Sequence, residues 1–119
     1  MKLYYAPAAC SLAPHIAAIE ANVPLELVKV EFGADGKTAG GRDYYEINPK
    51  GAVPALEIDG GEVLTENAVL LQYLAARAPQ SGLVPQGDGL DRWRLLELVN
   101  FFATVVHKGL GPLWNPTVR

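Results

Sequence analysis

Two periodicities alternate along the first 78 residues. Residues 2–6 form a short β-prone run that Pro7 ends. Leu12, Ile16, Ile19 and Val23 then recur at helical spacing. This predicts a helix from Leu12 to about Asn22, with those four side chains as its buried stripe, Ser11 as its cap and Pro14 tolerated in its first turn. Residues 26–32 alternate again, with Leu27, Val28 and Val30 among the apolar positions, and predict a second strand. The four glycines between Gly33 and Gly41 predict a solvated loop with no core of its own. Residues 55–58 and 62–64 form a hairpin across Asp59-Gly60-Gly61. Thr65 is placed to cap a helix running to about Arg77, with Glu66 at its positive end.

The order is therefore βαβ, a loop, then ββα. A βαβ crossover makes the first two strands parallel, and the hairpin is antiparallel. The expected fold is α/β, a small mixed sheet of four strands with helices packed on it. Residues 79–89, rich in Gly and Pro, read as a linker. A long helix follows over about 90–108, ended by Gly109, Gly111 and Pro112. Its Leu95, Leu96, Leu98, Val99, Phe102, Val105 and Val106 cover more than one narrow face, so another surface must cover it.

Composition narrows the function. Half of the 119 residues are hydrophobic, 19% are charged and the formal net charge is −3. A pI near 5.3 without a basic stripe argues against nucleic acid as a partner. No apolar run approaches the roughly 18 residues of a membrane span. Pro7 and Pro14 break the start of the chain, against a signal peptide. One cysteine makes no internal disulfide, and Cys10, His15 and His107 do not make a zinc site. The expected setting is cytoplasmic and reducing.

Cys10 lies at a strand–helix junction, where unpaired N–H groups and the helix dipole favour thiolate; this predicts titration below the ordinary value of about 8.5. An inert, buried cysteine is the alternative. Ser11 and Ala13 follow where a Cys-x-x-Cys pair would need its second thiol, so a dithiol cycle within the chain is excluded, whereas a mixed disulfide is not. Val53-Pro54 precedes a strand, and a cis bond there would turn the Val53 backbone outward. Thr65-Glu66-Asn67 opens a helix whose N–H groups suit a carboxylate, or it is a plain cap. His107-Lys108 complements a helix C-terminus, Lys37 reads as a solvated charge and His15 as a packed or half-exposed structural histidine.

Together these pieces resemble a known family. Lys2-Leu3-Tyr4-Tyr5, Pro7 and Cys10-Ser11-Leu12-Ala13-Pro14-His15 carry the first part of the likeness. Asn48-Pro49-Lys50-Gly51, Val53-Pro54-Ala55-Leu56 and Leu64-Thr65-Glu66 carry the second. With Asn100-Phe101-Phe102, Val106-His107-Lys108-Gly109 and Gly111-Pro112-Leu113, they resemble the bacterial beta-class glutathione transferases. The resemblance implies a thioredoxin-like domain over 1–78, the linker 79–89, and over 90–119 the first helix of an all-helical domain that is otherwise missing. It implies glutathione as co-substrate, no other cofactor and no metal, a hydrophobic electrophile as second substrate, and a homodimer.

The same resemblance implies the roles of individual residues. Glutathione would lie extended along Val53, with Pro54 as a structural cis-proline. Glu66 and Asn67 would hold the γ-glutamyl end, and Lys37 would reach the glycyl carboxylate. Cys10 and His107 would flank the sulfur as catalytic residues. Asn100 and Thr104 would face glutathione from the second domain, Asn100 across the dimer. The chain departs from the family pattern in Gly36, where a second lysine is expected, and in Asn67, where Ser or Gly is common. Two further readings compete with conjugation: thiol transfer through a Cys10 mixed disulfide, and a non-catalytic binding module.

Overall fold

A computed structural model describes residues 1–34 and 36–114. The chain divides into two compact units, Met1–Leu83 and Val84–Arg119, each described here by itself.

In the first unit, β1 (Lys2–Tyr5) lies beside β2 (Glu26–Gly33), parallel as a crossover through α1 (Leu12–Glu20) requires. On its other side β1 pairs antiparallel with β5 (Ala55–Glu57), and β5 with β6 (Val63–Thr65) around the predicted Asp59-Gly60-Gly61 turn. Among the described residues the sheet has six strands rather than four, in the order β4-β3-β2-β1-β5-β6. The extra pair comes from the glycine-rich stretch expected to be a solvated loop. There β3 (Gly36–Ala39) and β4 (Arg42–Asp43) form a hairpin on the β2 edge. Gly40 and Gly41, both at positive φ, make its two-residue turn. Ala39, opposite Val30, is buried, so this segment does have a core.

Alternation along β1 splits the interior into two layers. Leu3 points with Leu56 toward Ala18 of α1 and toward Leu70 and Leu74 of α2 (Asn67–Arg77). Tyr4 points the opposite way, into Val30, Ala39, Tyr44 and Ala55. Leu3, Leu56, Leu70 and Leu74 are fully buried, and truncating any one to Ala would cost roughly 2–5 kcal/mol.

Helix α1 buries a different stripe from the one expected. Leu12, Ile16 and Ile19 are at least half exposed, while Pro14, Ala18 and Ala21 are buried. Of the predicted four only Val23, past the helix end, packs on the core. Small residues allow α1 to approach the sheet and α2 closely, which larger side chains on that face would prevent. The helix also stops at Glu20 rather than near Asn22, because Asn22 turns left-handed at φ 54° and the Val23 N–H bonds back to Ala18 O.

The second unit begins its long helix where expected. α3 (Leu90–Phe101) leads through a π-helical turn, Phe102–Val106, into α4 (His107–Leu110) and a 3-10 turn, Gly111–Trp114. Gly109 therefore lies within α4, whereas Gly111 is its C-cap, where the α-helix gives way to the 3-10 turn. Residues 115–119 of the expected second domain lie outside the described residues. None of the described residues in this unit's helical segments is buried; Leu98, Phe102 and Val105 are each more than half exposed.

Candidate functional site

The loop from β1 to α1 is shaped by Ser11. Ser11 is not a cap: it makes no bond to the helix N–H groups. Its buried hydroxyl instead accepts from the Ala6 N–H and donates to the Ala6 carbonyl, both at 3.1 Å. That closes the turn and fixes Cys10 at the sheet's C-terminal edge, where open α/β sheets bind ligands. Cys10 is half-buried, and its thiol donates to Val53 O at 3.3 Å.

Val53 reaches Cys10 from a loop built of buried polar groups. Asn48 Nδ2 and the Tyr44 hydroxyl both donate to Ala52 O, at 2.7 and 2.8 Å, and Asn48 Oδ1 accepts from the Lys50 N–H. Asn48 and Tyr44 are almost fully buried, so these bonds are made in a low-dielectric setting that strengthens them. The Val53-Pro54 peptide is cis. Both residues lie just ahead of β5, beyond its last register pairs at Ala55 with Tyr4 and Thr65.

The third wall is the start of α2. Thr65 is not the cap here: it ends β6, paired with Ala55. Glu66 occupies the position before the helix at φ 72°, a left-handed conformation that costs a non-glycine residue about 1–3 kcal/mol and that clusters at ligand sites. Lys50 donates to the Glu66 carboxylate at 2.8 Å and to Thr65 Oγ1 at 3.0 Å. Asn67 Nδ2 donates to Cys10 O at 2.8 Å, tying α2 to the cysteine loop, and its buried Oδ1 has no hydrogen-bond partner among the described residues. Such an orphan acceptor is costly to leave unpaired and is a place for a donor from a ligand.

Lys37 is not a free solvated charge. From β3 its ammonium donates to Gly51 O at 2.8 Å, two residues before Val53. The fold thus brings together Cys10, Val53, Glu66, Asn67 and Lys37, which are scattered over 58 positions of sequence. In the second unit, Thr104 Oγ1 donates to Asn100 O at 2.9 Å, so that hydroxyl is used within its own helix. His107 opens the one-turn α4 after the π turn, is exposed, and lies with Lys108 in the last turn of that helix, as expected. His15 is half-buried in α1. Asn48, Tyr44 and Lys50 were not singled out from sequence as supports. The Asn-Pro-Lys-Gly run marks a turn but does not show which carbonyls it holds.

A mixed sheet in the βαβ-ββα order, with a cis-proline edge facing a cysteine loop, defines the thioredoxin-like class. Residues 9–77 match the family model "Glutathione S-transferase, N-terminal domain", and the chain belongs to that family. It is 42% identical to glutathione S-transferase GstA of Escherichia coli O157:H7, over 98% of this chain and 57% of that protein. A sphingomonad glutathione S-transferase solved with glutathione superposes at a TM-score of 0.93 and 45% identity, covering 100% of this chain and 59% of that one. The beta-class enzyme of Sphingomonas chungbukensis superposes at 0.90 and 42% identity, over 98% and 57%. The chain therefore spans less than three fifths of the length of each of these relatives.

Proposed function

We propose that this chain binds glutathione and carries the thiol-binding half of a transferase that conjugates it to electrophilic small molecules. The observation that supports this most is the convergence of Cys10 and the α2 start on the Val53 edge: Cys10 Sγ at 3.3 Å from Val53 O, and Asn67 bonded to Cys10 O. A tripeptide lying extended there pairs its cysteinyl backbone with Val53. Its γ-glutamyl ammonium meets the Glu66 carboxylate, its α-carboxylate meets the α2 N–H groups, and its glycyl carboxylate meets Lys37. Asn100, Thr104 and His107 are assigned to the same ligand by sequence resemblance, and so is the two-fold homodimer.

In the reaction the sulfur gives its proton to solvent, and donors such as the Cys10 thiol and the positive end of α1 stabilise the resulting thiolate. The thiolate then attacks the electrophilic carbon; the new S–C bond takes the sulfur's electron pair, and the leaving group departs with its own. The nearness of Cys10 Sγ to Val53 O also favours a second reading. There the Cys10 thiolate attacks glutathione disulfide, forming a mixed disulfide and releasing one glutathione. Setting and partners complete the proposal: a cytoplasmic protein acting on hydrophobic electrophiles.

Retention on immobilised glutathione, with elution by free glutathione, tests the binding step, and failure to be retained overturns the proposal. Conjugation of an activated aryl halide separates an enzyme from a binding module. A mass gain of one glutathione on wild type, absent in Cys10→Ser, identifies thiol transfer.

A further inference from the structure

Phe32 and Tyr45 are large rings, 56% and 44% exposed, that the core does not account for. They flank the Lys37 ammonium, whose Nζ lies 5.3 Å from the Phe32 ring centroid and 5.5 Å from that of Tyr45. Phe32 stands opposite Lys37 in the β2–β3 register, so their contact follows from strand pairing. Tyr45 is placed by its own N–H, which donates to Asp43 Oδ1 at 2.9 Å. Its ring also lies on Gly51: a Cβ there would come within 2.5 Å of Tyr45 Cε1, at a φ of 61° that itself favours glycine. The ring that holds the lysine therefore also packs on the residue whose carbonyl the lysine bonds.

A lysine stem is flexible, and an ammonium has three donors, of which Gly51 O takes one. Two rings and a carbonyl restrict where the ammonium sits. A ligand strand antiparallel to Val53 runs its next residue toward Ala52 and Gly51, at about 3.3 Å per residue. Its C-terminal carboxylate then arrives at Lys37, while its amino end arrives at Glu66. The opposite polarity would set carboxylate against Glu66.

We infer that Phe32 and Tyr45 are positioning residues that aim Lys37 at the C-terminal carboxylate of the bound thiol peptide. The inference rests on the glutathione reading above, which already gives that carboxylate to Lys37, and adds the two rings that hold the lysine as a clamp.

The test is calorimetric binding to the full chain of glutathione, its glycyl monoethyl ester and γ-glutamylcysteine. Wild type is expected to bind glutathione about tenfold or more tighter than either analogue, the ratio for a charged hydrogen bond. Lys37→Met brings that ratio near one. Phe32→Leu and Tyr45→Leu each lower it about two- to fivefold, with ester affinity unchanged, and Tyr45→Phe, which keeps the ring, preserves it. An unchanged ratio in both Leu variants overturns the clamp. So does equal weakening of all three ligands, which is what a purely structural role produces. An unchanged ratio in Lys37→Met overturns the lysine's part. Failure of wild type to bind either glutathione or its ester strikes the glutathione reading itself, and the clamp with it.

Discussion

Replacing Ser11 by Ala tests whether the serine is a helix cap or the closure of the cysteine loop. The hydroxyl is 1% exposed and holds both polar groups of Ala6, itself 8% exposed. In the variant the Ala6 N–H loses the bond it makes with Ser11 Oγ, at about 1–3 kcal/mol for a buried orphan. The Ala6 carbonyl keeps the Ala9 N–H at 3.3 Å and loses only one net bond, roughly 0.5–1.5 kcal/mol. The expected loss is thus about 2–4 kcal/mol, a large share of a typical stability of about 5–15 kcal/mol. Urea unfolding followed by circular dichroism measures it as a fall in midpoint at constant slope. Ser81→Ala, which removes only a weak exposed bond to the Leu83 N–H, is the control, with an expected change within about 0.5 kcal/mol. A loss below about 1 kcal/mol in Ser11→Ala would falsify the loop-closure account.

The pair Tyr4–Glu57 has a defined pH signature. The Tyr4 hydroxyl at 2.8 Å and then the Lys2 ammonium at 3.0 Å hold the Glu57 carboxyl below its ordinary 4.5. A lowered folded value stabilises the fold above the unfolded pKa, and that contribution is lost as pH falls through the folded one. Glu57→Gln is therefore expected to unfold about 1 kcal/mol more easily near pH 7, with the gap to wild type closing below pH 4.5 in parallel denaturation curves. On the alkaline side, burial and then the Glu57 bond push Tyr4 up to about 12, so its contribution is present below 10 and lost as pH rises toward 12. A gap independent of pH would contradict both signs. The exposed Leu98, Phe102 and Val105 of the second unit, worth roughly 1.5–3 kcal/mol each if buried, predict a homodimer or larger assembly. A stable monomer by light scattering at tens of micromolar would refute this.

Much of the candidate site is legible in the sequence. Cys10, Val53-Pro54 and Glu66-Asn67 stand out because each sits at a junction that local rules recognise: strand to helix, proline before a strand, turn into helix. What those rules missed is long-range. Ser11 reads as a cap from its neighbours, and only the return of Ala6 to its hydroxyl makes it a closure. Lys37 reads as a solvated charge, and only the β2–β3 pairing and the Asn48 loop place Phe32, Tyr45 and Gly51 around it.

Periodicity, glycine turns and the crossover rule were enough to determine a parallel β1–β2 pair, the β5–β6 hairpin and the helices, because these depend on neighbours a few residues apart. Tertiary structure alone decided which face of α1 is buried. Period 3.6 marks an apolar stripe, but Pro14, Ala18 and Ala21 win the interior because close helix–sheet approach favours small side chains over the larger Leu12, Ile16 and Ile19. It likewise decided that a glycine-rich stretch would become two further strands of the sheet. β3 pairs with β2 and β4 with β3, and the exposed edge of β2 cannot be seen from the stretch itself.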